Sequence, residues 1–453
     1  MRGDFSRFSF DSARQFSRVL MQQGRVLLDA DWNEQSDVIL HTVRRLAADL
    51  IGPHGGPAGA VGFAVSATTT EGEADLALGS GRYYVDGIAC ELAPSATVGQ
   101  PAATYLRQPY LPRLPDDPDL PAAGPYLVYL DVWERHVTAL DTDDLREVAL
   151  GGADTTSRAQ IVWQVRILQP IAPFTEPQLV CATFPIEEFR AHLTGTRPRL
   201  RARTRPPLHD VADDPCVAAP DARYRGAENQ LYRVEIHEVA VEAGVPVVTF
   251  KWSRENGSVA AAWSATRRGN EIVVDGVRDR IRGFEAQQFV ELTDDRRELR
   301  GEPGVIVPVT AVRGDTLTVN ADGVTIEANP GQLPNPIVRR WDHARTAPED
   351  LRNRAVKVRF PVPGDEAWIN LEQGIQIQFQ APAVAAQPDT FRPGDYWLIP
   401  ARVATGDVIW PRETDGTPRA LAPNGVDHHY APLALVGPDR NLRRTVTPLA
   451  VCT

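Results

Sequence analysis

The chain has 453 residues, of which 43% are hydrophobic and 24% charged, and its formal net charge is −11. That length accommodates two to four domains at roughly 100–200 residues each, and the acidic balance argues against a general nucleic-acid binder, which needs a basic surface to displace phosphate counterions. No run of about 18 apolar residues exists, so no membrane insertion is expected, and the start Met1-Arg2-Gly3-Asp4-Phe5-Ser6 lacks the apolar stretch of a secretory signal. The expected setting is cytoplasmic synthesis, with release only as part of a larger particle.

Residues 1–60 read as an attachment segment of strand, turn and helix. Val19–Gln35 reads as strand, turn at Gly24 and strand, and a helix over 33–51 follows, with Asp31 and Asn33 as capping groups. That helix carries Ile39, Val43, Leu46 and Leu50 at spacings of 4, 3 and 4 residues. The pattern is a narrow coiled-coil seam, not the wide stripe of a core helix, and it predicts homo-oligomerisation through this element. Gly52 and Pro53 stop the helix.

Beyond this the chain reads as mainly β. Short runs of Val, Ile, Tyr and Trp alternate with turn residues, and 34 Gly and 38 Pro make the punctuation dense. A first β domain is expected over 61–195. In it, Gly81–Leu92 is a hairpin around Asp86-Gly87, 98–124 is a Pro-rich loop, and Tyr126–Trp133 is a central strand beside Ile161–Leu168. A short helix at Ile186–Leu193 closes the domain. Residues 196–222 form a linker or surface excursion that includes the alternating run Arg197, Arg199, Arg201, Arg203 and Arg205.

A second β domain, 223–340, contains the strand pair Leu231–His237 and Val247–Trp252, then a small barrel or sandwich over 271–320. The C-terminal β region, 341–453, contains Ile375–Phe379, whose strict alternation predicts a half-buried strand. The architecture expected is β-sandwich and small β-barrel modules with a short N-terminal α-helical attachment segment.

Chemical signatures are sparse. Cys90, Cys181, Cys216 and Cys452 are far apart and form no CxxC pair, so reduced structural thiols are expected. Asp29-x-Asp31-x-Asn33 opens like a calcium loop, but Glu34 stands where Gly is needed and Leu40 where a bidentate Glu is needed. Adjacent His428 and His429 point to opposite faces of a strand, so at most one could join a distant His343 on a metal. Glu228, Asn229, Arg254, Glu255 and Asn256 form a polar turn region, in which an Arg254–Glu255 salt bridge is one arrangement. A hydrolase would require Glu228 and Glu255 to meet, or a site centred on His428. No phosphate-binding, dinucleotide or nucleophile-elbow motif occurs, and no cofactor is expected.

The opening Val19–Gln35 resembles the N-terminal pattern of uncharacterised bacterial proteins that begin Met-[Arg/Lys]-Gly-Asp-Phe. Leu130–Arg135, Tyr224–His237, Phe250–Ser258, Gly394–Arg402 and His428–Ala434 share that resemblance. The opening is similar, more distantly, to the start of some phage tail, baseplate or fibre proteins. What the resemblance implies is a structural, non-enzymatic subunit of a phage-tail-like particle of the contractile injection type, with other particle subunits as partners. Nine Trp and ten Tyr keep a second reading open, a carbohydrate- or surface-binding protein that stacks sugars on exposed rings.

Overall fold

The computed structural model describes residues 1–205, 223–275, 283–380 and 391–447. Cys216 and Cys452 lie outside these residues; Cys90 and Cys181 are free thiols. The fold is mainly β, in several sheets, with one long helix, α1 (Asp29–Ile51), near the N-terminus and two short ones, α2 (Ile186–Thr194) and α3 (Asp295–Arg300). Two compact units form, and each gathers separate stretches of chain. Unit 1 comprises Met1–Phe8, His136–Arg158 and Gly195–Val426; unit 2 comprises Ser9–Arg135, Ala159–Thr194 and Asp427–Thr453. The stretch 61–195 and the closing stretch 341–453 thus each contribute to both units.

In unit 2, Tyr126–Val137 is a central strand between Arg158–Leu168 and His429–Val436. Its nearly continuous apolar run follows from burial on both faces. The Asp86-Gly87 hairpin forms as the dipeptide dictates: Val85 pairs with Ile88, and both turn residues have positive φ, 49° and 77°. A core around Phe63, Tyr83, Leu130 and Trp163 binds these sheets, and a second cluster packs Phe189 of α2 against Leu127 and Tyr430.

In unit 1, a six-stranded sheet has Gln230–Glu242 and Val245–Ser253 at its centre, and a three-stranded sheet has Ile375–Gln380 at its centre. They share one core, in which Tyr232, Val234, Ile236, Phe250 and Trp252 meet Ile375, Ile377 and Phe379. This is the expected sandwich. Ile375–Gln380 is fully buried up to Phe379, however, and not half-buried. The polar positions of the alternation are covered too: Gln376 donates to Asn370 at 2.9 Å, and Gln378 donates to the Glu366 carbonyl at 2.6 Å. Arg199–Thr204 is an edge strand on the same sheet, with Leu200 and Ala202 inward and the arginines between them more exposed. The barrel is larger than the 271–320 expected. Ala260–Arg267 and Ile337–Trp341 close it into six strands around Trp263, Val290 and Val338.

Two local expectations near the N-terminus fail. No strand forms between Gln15 and Leu28; the Gly24 turn (φ 70°) joins irregular chain, because no neighbouring strand offers a ladder to pair with. The helix begins at Asp29 with Leu28 as its uncapped N-cap residue, so Asp31 and Asn33 lie inside it. Asp29 and Asp31 instead place negative charge against the positive end of the helix dipole.

Candidate functional site

A surface helix of a globular protein normally turns its apolar side toward the core. Helix α1 does the reverse. Its inner side buries only two apolar residues and is otherwise held by polar groups. Ala30 and Val38 are the buried residues, and Arg44 makes a two-pronged pair with Glu134 at 3.0 and 2.8 Å. Ser9 donates to Glu34 at 2.5 Å, and the Gln35 side chain accepts from the Val19 amide at 2.8 Å. The Asp86-Gly87 turn presses against the helix so closely that a Cβ on Gly87 would lie 2.1 Å from the Arg44 carbonyl oxygen.

The predicted seam faces outward. Ile39, Val43, Leu46 and Leu50 are 55, 56, 58 and 63% exposed. With the helix starting four residues earlier, Trp32 (76% exposed) and Ser36 extend the seam at spacings of 4 and 3, giving 32-36-39-43-46-50. Sequence reasoning missed Trp32 because it placed that residue ahead of the helix. The irregular chain before the helix adds exposed Leu20, Met21, Val26, Leu27 and Leu28, which the strand reading had treated as sheet residues. Eleven large apolar side chains between residues 20 and 50 are therefore exposed. Large apolar side chains that are exposed in number over one segment, and not scattered singly, mark an interaction site.

The other sequence candidates are drawn into structural roles. Arg254 and Glu255 do not pair with each other: Arg254 binds Glu372 at 2.8 Å, and Glu255 is paired with Arg340. These adjacent side chains, just ahead of the Asn256-Gly257 turn (φ 51° and 65°), reach different partners. Asn256 donates to the Gly3 carbonyl at 3.0 Å, and Asn229 accepts from the Val403 amide at 3.0 Å. Glu228 is exposed, and its carbonyl accepts from Tyr224 at 2.8 Å. Among the described residues no hydrogen bond or ion pair joins Glu228 to Glu255.

His428 and His429 diverge as strand geometry requires, to Asp131 and Asp86 respectively, each at 2.7 Å. His343 belongs to unit 1. It is fully buried, stacks on Phe289 and donates Nε2–H to the Arg354 carbonyl at 2.8 Å. Burial, with no acceptor at Nδ1 among the described residues, lowers its pKa to about 4. Among the described residues no group of three or more His, Cys, Asp or Glu side chains is placed to hold a metal ion. Seven of the nine Trp are buried, which places them in cores and not on sugar-stacking platforms.

One constellation escaped the sequence reading. The face of the six-stranded sheet opposite its apolar core carries Arg233, Glu235 and Lys251, all buried, with Glu235 directly across from Lys251. Arg233 binds Glu235 at 2.5 Å, Lys251 binds Glu291 at 2.5 Å and Glu235 at 3.3 Å, and Arg2 binds Glu235 at 2.8 Å. Trp341 donates its indole N–H to Glu291 at 2.8 Å. Burial alone would raise the Glu291 carboxyl, but Lys251, His237 and Arg2 outweigh it and hold it at about 2. The signal was the alternation Arg233-x-Glu235-x-His237 opposite Lys251-x-Ser253. No sequence pattern shows that such a face is covered.

No helix among the described residues is long and apolar enough to cross a membrane. Comparison with curated proteins and with solved structures finds no match. A family model does match, over residues 1–184 and again over 180–447, and the chain belongs to that family, described as a family of unknown function, DUF6519.

Proposed function

We propose that this chain is a structural, non-catalytic subunit that assembles with further copies of itself through the outward seam of α1. The observation that carries the reading is the inverted helix, which buries only Ala30 and Val38 on its inner side and exposes Trp32, Ile39, Val43, Leu46 and Leu50 on its outer side. Identical helices with a heptad-like seam fit knob into hole against one another. The exposed apolar surface of these residues is what a stable interface, about 800 Å² per partner, would cover. Leaving it in water would forgo roughly 25 cal/mol per Å² of favourable transfer.

The setting proposed is a phage-tail-like particle of the contractile injection type, at the baseplate or fibre; this rests on the resemblance of the N-terminal segment. The experiment is light scattering on the purified full chain and on Leu46→Asp. The expected result is an oligomer that the substitution dissociates while circular dichroism stays unchanged. A wild-type chain that is monomeric at tens of micromolar overturns the reading. Co-sedimentation of the chain with tube and sheath subunits from producing cells tests the particle setting.

A further inference from the structure

Unit 2 contains a pocket of about 440 Å³, within the range of small-molecule sites. Arg443 and Arg444 line it together with His54, and no Asp or Glu does. Arg443 is fixed in place: its guanidinium donates to the Val61 and Gly62 carbonyls at 3.1 and 3.0 Å and to Asn441 at 3.1 Å. Arg444 passes beside Gly52, and among the described residues its guanidinium has no hydrogen-bond or ion-pair partner.

His54 is 2% exposed, and its Nδ1 lies 2.8 Å from the Tyr83 hydroxyl. That hydroxyl accepts the Arg444 amide N–H at 3.1 Å, and its O–H donates a hydrogen bond to Nδ1, with the ring proton on Nε2. Burial, and then the positive charges of Arg444 and Arg190, lower the His54 pKa to about 4, so the ring is neutral. Phe184 and Ile186 supply an apolar part of the wall.

We propose that this pocket binds a small organic anion, a carboxylate or phosphate monoester carrying a short apolar group, with Arg444 and Arg443 taking the anionic oxygens. A preorganised arginine beside an unpaired one, with no competing carboxylate, suits a planar or tetrahedral oxyanion. Phe184 and Ile186 receive the apolar group. The reading is independent of the assembly seam on α1.

Cys181 lies in the pocket wall, half-buried, with its thiol 3.5 Å from the Arg443 carbonyl, and serves as a built-in reporter. The test uses the full chain with benzoate, phenyl phosphate and benzyl alcohol at millimolar concentration, reading the melting temperature and the alkylation rate of the Cys181 peptide. At least one anion is expected to raise the melting temperature and slow alkylation, and which one does so distinguishes carboxylate from phosphate recognition. Arg444→Gln, at an exposed position where folding is retained, is expected to weaken that effect about tenfold or more. Protection by neither anion, equal protection by benzyl alcohol, or unchanged anion binding in Arg444→Gln each overturns the proposal.

Discussion

The polar face of the six-stranded sheet and the outer face of α1 each invert the usual distribution of residues. In unit 1, Arg233, Glu235, Lys251 and Glu291 are removed from water, and in unit 2 Trp32, Ile39, Val43, Leu46 and Leu50 remain in it. The first inversion is resolved within the chain, because every charge meets an opposite charge or a hydrogen-bond donor at 2.5–3.3 Å. The second is not resolved within the chain, since nothing among the described residues covers the seam. A buried charge cluster closed on itself is a feature of folding; an open apolar seam is what the proposed association would cover.

The largest effect is expected at Lys251. Lys251→Met preserves the volume of the side chain but leaves Glu235 and Glu291 buried without the cation between them. Breaking a buried pair by removing one partner costs about 3–5 kcal/mol, and urea unfolding of the variant should show a loss of that size. A loss below about 1 kcal/mol, the size expected for an exposed pair, would mean that the cluster is open to solvent and that the contrast with the seam is false.

Gly87→Ala tests the inner side of α1. The substitution strains a φ of 77° and drives a methyl into the Arg44 carbonyl, so a cost of about 2–4 kcal/mol follows from backbone strain and overpacking together. Part of that cost should appear as faster hydrogen exchange in α1 before global unfolding. Unchanged exchange there would show that the helix is not seated on the hairpin.

These two sites differ in how readable they were. The seam was visible from Ile39, Val43, Leu46 and Leu50 alone, because a 4-3-4 spacing carries its own geometry. Its extension to Trp32 was not visible, since the residues Asp31 and Asn33 resemble caps and hid the true helix start at Asp29. The strands of both units were legible wherever a run was apolar on both faces, as at Tyr126–Val137, or ended in Asp86-Gly87 or Asn256-Gly257. The charge cluster was illegible for a physical reason. An alternating strand with Arg, Glu and His on one face is the pattern of a sheet with one wet side, and only tertiary contact with Glu291, Trp341 and Arg2 dries it. The pocket was illegible as well, because its wall joins His54, Cys181 and Arg444, which are far apart in the chain.

A smaller effect concerns pH. His343 sits beside the cluster with its pKa lowered from 6.5 to about 4, chiefly by burial. A histidine whose folded pKa is depressed contributes stability above its unfolded pKa and loses it as the pH falls toward the folded value. Stability should therefore decline between about pH 6.5 and 4, with His343 accounting for about 2 kcal/mol by pH 5. Measured as the difference in unfolding free energy between pH 7.5 and pH 5, the loss should shrink by about that amount in His343→Gln. An unchanged difference would place a counter-charge or solvent at His343.

The smallest expected change in folding energy comes from Leu46→Asp, and it is the sharpest separation of the two regions. Leu46 is 58% exposed, so removing its side chain from an isolated subunit gives up little packing, and stability should move by no more than about 0.5 kcal/mol. In the proposed assembly the same position lies on the heptad seam, where an aspartate would be an unpaired buried charge in every copy at once. Association should then weaken by several kcal/mol, multiplied by the symmetry of the contact. A variant that keeps its urea midpoint at low protein concentration but loses concentration-dependent stability separates association from folding. If instead Leu46→Asp lowers the urea midpoint at every concentration, the seam packs within the chain, and α1 is an ordinary core helix.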